Sequence, residues 1–86
     1  MHTLVVYDVS EKKSKVCNFL RQYLVWVQNS VFEGDITESQ ISEIERGLES
    51  IIDKNKDSVI IYFLKFDDLL KKKIIGVKKN SDENII

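Results

Sequence analysis

Few residues of this 86-residue chain could do chemistry, and one of them, Asp8, closes the apolar run formed by residues 3–7. A carboxylate at the end of a buried strand stands where the sheet interior meets solvent. From there a small α/β domain can present it to a metal ion or a phosphate. The same residue could instead cap the turn or the helix that follows. Glu11 is the one other acid nearby, and in a first helical turn it would favour the macrodipole. Two-metal nucleases bring several carboxylates together, and the sequence offers no such cluster beside Asp8. The second chemical feature is cationic. Lys12, Lys13, Lys15 and Arg21 follow Asp8, and Lys71, Lys72 and Lys73 come late in the chain. These side chains could follow a phosphate backbone. The later three could equally solubilise an edge strand.

The net charge of −1 hides a segregation of signs. Residues 1–32 are net basic, residues 33–53 carry seven acids against Arg46, and residues 54–79 carry eight lysines against three aspartates. This arrangement would let a basic face meet a polyanion while an acidic helix points elsewhere. The lone Cys17 cannot form an internal disulfide, and the lone His2 cannot build a zinc site by itself. No stretch approaches the ~20 apolar residues of a membrane span, and no basic segment precedes an apolar one at the start, so a soluble, cytoplasmic protein is expected. A chain of this length makes one domain, residues 1–86. Small domains bury only ~60 to 65% of their unfolded surface, which favours association with a second copy.

The elements that must position these side chains follow from periodicity. Residues 3–7 are β-branched and aromatic and suit a central strand. Ser10 is placed to cap a helix over roughly 11–24, whose apolar stripe is Val16, Phe19, Leu20, Tyr23 and Leu24. Residues 25–35 read as a second strand with broken alternation, which a bulge or two covered faces would explain. Thr37 with Gln40 forms a capping-box pattern that opens a second helix, with Ile41, Ile44, Leu48, Ile51 and Ile52 on one side. Gly47 weakens the middle of that helix, and Asn55 is a candidate left-handed residue just past its end. Residues 58–64 make a third strand. A turn or helical stub spans 66–70, a short fourth strand covers about 74–77, and the apolar 84–86 end could pair with a neighbouring sheet. The order β-α-β-α-β-β needs one more strand within 25–36 to become a ferredoxin-like sandwich, and that segment is long enough for a bent hairpin.

Tyr7-Asp8-Val9-Ser10, the segment Gln28-Asn29-Ser30-Val31-Phe32-Glu33-Gly34 and the run Asp57-Ser58-Val59-Ile60-Ile61-Tyr62 together resemble the CRISPR-associated two family, the smaller of the two universal CRISPR adaptation proteins. The resemblance covers nearly the whole chain in matching order. It implies an α+β, ferredoxin-like αβ sandwich with a mainly antiparallel sheet and two helices on one face. It also implies a homodimer, and a complex with the CRISPR adaptation integrase that captures duplex DNA for spacer acquisition. In some members there is a magnesium-dependent endonuclease activity on single-stranded RNA or double-stranded DNA. Asp8 matches the family's strand-end aspartate, which holds Mg2+ with its symmetry mate and is the catalytic position. Tyr7, Ser10 and Phe32 would support it. The basic positions at the start of the first helix, commonly arginine, are Lys13 and Lys15 here, and lysine does not grip a phosphate bidentately. The glycine that often precedes the second strand is replaced by Tyr23-Leu24-Val25. A toxin-type ribonuclease of the virulence-associated D kind is the alternative of similar fold.

Overall fold

A computed structural model describes residues 1–64 and 70–77 of the chain. Its elements are β1 (His2–Asp8), α1 (Lys13–Leu20), β2 (Val25–Gln28), β3 (Val31–Asp35), α2 (Glu38–Ile51), β4 (Ser58–Leu64) and β5 (Leu70–Gly76). The strands form one sheet in the order β2-β3-β1-β4-β5, and every neighbouring pair is antiparallel. This is the ferredoxin-like arrangement: β1 lies at the centre, and each βαβ half is split by a strand inserted from the other.

The extra strand that this fold requires is found within residues 25–35, which form a hairpin rather than one strand. Asn29 takes the positive φ, 44°, that a two-residue loop needs at its first position. Val27 is the bulged residue, because the pairing passes from Trp26↔Phe32 to Gln28↔Val31. That bulge accounts for the broken alternation in the sequence. Helix α1 is shorter than its apolar stripe. It ends at Leu20, where Gln22 and Tyr23 donate back to the carbonyls of Phe19 and Leu20 at 3.2 and 3.0 Å, and the tightened turn carries the stripe on to buried Leu24. The capping box on α2 is present in full, Thr37 and Gln40 each satisfying the other's backbone N–H. Asn55, by contrast, is not left-handed; α2 stops at an extended Ile52. β5 begins at Leu70, four residues before the expected start, so all three of Lys71, Lys72 and Lys73 lie within a strand. The stub expected at 66–70, apart from Leu70, the strand expected at 84–86, and Lys78 and Lys79 lie outside the described residues.

One face of the sheet is covered by both helices. Thr3, Val5 and Tyr7 of β1 point into that side with Phe32, Val59, Ile61 and Ile75, and meet Val16, Leu20, Ile41, Ile44 and Leu48 from the helices. At Gly47 the backbone of α2 passes close to a side chain of α1: a Cβ there would run into the ring of Phe19. Its cost to helix propensity therefore permits a close helix crossing. Gly47→Ala is expected to destabilise the fold by ~1 to 3 kcal/mol through overpacking, even though alanine is the better helix former by ~1 kcal/mol. Urea unfolding checks this, and a raised midpoint would contradict the packing argument.

The opposite face carries Leu4, Val6, Val31, Ile60, Tyr62 and Ile74, brought side by side by the registers Leu4↔Tyr62, Val6↔Val31, Val6↔Ile60 and Ile60↔Ile74. These side chains are only partly buried, because no described element lies over them.

Candidate metal and nucleic-acid site

Strand alternation puts Asp8 on the bare face, in line with Leu4 and Val6. It is exposed, it pairs in register with Ser58 of β4, and it lies beside the β2–β3 turn, where the Tyr7 N–H donates to the Ser30 carbonyl at 3.1 Å. Among the described residues no group of three or more His, Cys, Asp or Glu side chains converges on a metal-sized site. Glu33 and Asp35 share the bare face, but they lie at its other end, opposite Leu4 and His2; at the Asp8 end each copy of the chain offers Asp8 as the exposed carboxylate. Magnesium keeps several waters and is bound through one or two carboxylates with substrate phosphates, so Asp8 fits such an ion, and two such rims brought together would supply both carboxylates.

Tyr7 and Phe32 face the other way. They pack against each other in the core with ring centroids 6.2 Å apart. Burial, with Cys17 beside it, pushes the Tyr7 phenol up from its ordinary range. Both residues brace the strand that carries Asp8 from behind and do not join it on the open face.

Ser10 does not cap α1, whose N-cap is Lys12 with no side-chain hydrogen bond. Its backbone N–H and its hydroxyl both donate to Oδ1 of Asp57, at 3.1 and 3.3 Å. Asp57 is a carboxylate the sequence did not single out as chemistry. It is 2% exposed, and its Oδ2 accepts the Asp53 N–H at 2.8 Å. The Asp53 N–H, then the two Ser10 donors and the Lys56 charge, hold this carboxyl below its usual range against the opposing effect of burial. Glu11 also departs from expectation. It lies before α1 and pairs with Lys56 at 3.2 Å, which raises the lysine.

The basic residues do not form one strip along the helix layer. Lys12, Lys13 and Lys15 are exposed at the start of α1, near the Asp8 end of the sheet. The α2–β4 turn adds Lys54 and Lys56 to that end, a contribution legible only as part of the basic 54–79 segment. Arg21 is exposed at the far end of α1. The β5 lysines are split between faces. Lys71 and Lys73 lie on the helix side, where Lys73 pairs with Glu45 of α2 at 3.2 Å, and Lys72 stands on the bare face opposite Tyr62. The acidic helix does not point elsewhere: α2 packs between α1 and β5 and separates the two basic sets.

Fold and site together define a small α+β protein of the ferredoxin-like class, with an acid-tipped central strand and one sheet face that no other described element covers. Residues 1–73 match the family described as CRISPR associated protein Cas2, and the chain belongs to that family. It is 48% identical over its full length, and over all of the relative, to the CRISPR-associated endoribonuclease Cas2 of Thermococcus kodakarensis. To the protein of that name from Pyrococcus furiosus it is 49% identical, again over the whole of both chains. Among solved structures it resembles a crystal structure of Cas2 at 36% identity, with a TM-score of 0.67 over 93% of this chain and 79% of that one. Streptococcus pyogenes Cas2 at pH 6.5 gives 35% identity and a TM-score of 0.69 over 76% and 87% of the two chains. No helix among the described residues is long and apolar enough to cross a membrane.

Proposed function

We propose that two copies of this chain pair through the bare sheet face, and that the dimer serves CRISPR adaptation by holding nucleic acid with the integrase. In this reading the dimer also has a magnesium-dependent endonuclease activity. The observation that carries the proposal is the position of Asp8 at the rim of the uncovered apolar face. Stacking the two faces would bury Leu4, Val6, Ile60 and Tyr62 and bring two carboxylates to one axis, where they would hold Mg2+. The chemistry such an ion supplies is polarisation of a phosphodiester and a lowered pKa for bound water. The chain's own residues do the rest. Asp8 orients the site, the Tyr7–Phe32 contact stiffens its strand from behind, and Lys12, Lys13 and Lys15 hold phosphates nearby. The nuclease part of the proposal is supported by the endoribonuclease names of the Thermococcus and Pyrococcus relatives. With no group of further acids converging on Asp8 among the described residues, the scaffold role carries more weight than catalysis.

The test is sedimentation together with cleavage. At micromolar concentration the protein should sediment at twice the chain mass. It should cut single-stranded RNA or duplex DNA slowly, and only with magnesium present. Tyr62→Glu places a charge in the middle of the bare face and should give monomers without unfolding them. A wild-type protein that stays monomeric would contradict the proposal.

A further inference from the structure

Asp57 is a charged side chain only 2% exposed, and the nucleic-acid site gives it no role. Removing a charge from water is costly unless its lone pairs are filled. In this protein they are filled entirely by neutral donors: Ser10 N–H and Oγ–H on Oδ1, and Asp53 N–H on Oδ2. Only a carboxylate accepts on both sides; an Asn amide would turn an N–H toward one of these donors. The backbone of Asp57 is engaged as well. Its carbonyl accepts the Val77 N–H at 2.9 Å, and Gly76, at φ +94°, lets β5 come that close. One residue thus joins the exit of β1, the α2–β4 turn and the end of β5.

All three segments converge beside Asp8. Asp57 immediately precedes Ser58, the register partner of Asp8, and Ser10 lies two residues past Asp8. The Ser10 hydroxyl is moreover committed to Asp57 while α1 lacks a side-chain cap, a choice that favours fixing the loop over starting the helix. We infer that Asp57 is a positioning residue for Asp8, clamping the Ser10 loop so that the Asp8 carboxylate has one direction on the bare face. The inference rests on the reading of Asp8 as the magnesium-holding group. A displacement of ~1 Å at such a group is enough to matter greatly.

The experiment compares Asp57→Asn, Ser10→Ala and the double variant in the full chain. Three readouts are taken below the unfolding transition: magnesium concentration for half-maximal cleavage, KM for RNA, and hydrogen exchange of the residue 8–10 amides. The expected result is a rise of ~10-fold or more in the magnesium requirement for Asp57→Asn, in the range for outer partners of metal ligands. KM should not change, exchange at residues 8–10 should be faster, and the double variant should be no worse than Asp57→Asn. A lowered Tm with the wild-type magnesium requirement and exchange would mean that Asp57 is structural only, and would overturn the inference. If Asp57→Asn does not fold, Ser10→Ala decides by the same criteria. If the wild type shows no Asp8-dependent cleavage, the underlying reading has failed. Exchange then decides separately: acceleration confined to residues 8–10 supports the clamp, and its absence overturns it.

Discussion

Asp8→Asn is expected to abolish magnesium-dependent cleavage and leave the protein folded and dimeric. The substitution keeps the size of the side chain and removes the charge that would hold the ion. Loss of an outer partner of a metal ligand costs ~10 to 100-fold, so loss of the ligand itself should exceed ~10²-fold. The fold should survive, because Asp8 is exposed at a strand end and the core residues beside it, Tyr7 and Val9, are unchanged. Assaying cleavage and sedimentation on the same preparation separates a chemical loss from unfolding. In cells, spacer acquisition should persist in this variant, since phosphates are held by lysines and not by the axial carboxylates. Acquisition lost from a mutant that still dimerises and still binds the integrase would make Asp8 essential to the biological role, and would rank catalysis above the scaffold role.

Duplex DNA should bind with little sequence preference and steep salt dependence. Each neutralised phosphate adds about 0.9 to the slope of log K against log salt, so a dimer making ~6 contacts should lose ~10³-fold in affinity between 50 and 200 mM salt. The structure refines which lysines carry that slope. Lys12, Lys13 and Lys15 are exposed together at the Asp8 end, whereas Lys73 is paired with Glu45 and Lys72 stands on the face expected to be covered. Replacing the three α1 lysines with alanine should therefore flatten the slope more than replacing Lys71, Lys72 and Lys73. Filter binding across a salt series measures both. A slope near zero in the wild type, or equal flattening by the two triples, would contradict this assignment.

Local signals in the chain were sound guides. The apolar run before Asp8, the Thr37–Gln40 box and the 58–64 strand all appear as read, because each is set by neighbours within a few residues. The hairpin at Asn29-Ser30 was harder to see, since it lacks the Asn-Gly pair that marks such loops and its first strand is a solid apolar run. Ser10 shows a different kind of difficulty. It looks like a cap to any rule confined to nearby residues, but its partner lies 47 positions away. The same holds for Asp57, whose burial comes from three segments meeting, and for Lys73, whose partner Glu45 is 28 residues distant. Asp8 could be located from sequence. Alternation alone puts it on one face with Leu4, but that Tyr62 joins them, and that no described element covers the face, required the sheet register.

The bulged β2 edge holds the chain's single tryptophan, Trp26, 52% exposed, with its indole N–H donating to the Asn29 carbonyl at 3.0 Å. Intrinsic fluorescence of this protein is therefore a signal from the outermost strand and not from the packed interior. Emission should be red-shifted even in the native state. Core disruption that spares the hairpin, such as Gly47→Ala, should change it little, so circular dichroism is the safer monitor of unfolding. In return the protein carries an optical probe at its sheet edge, and a blue shift on mixing with a partner would locate contact at β2 without any label.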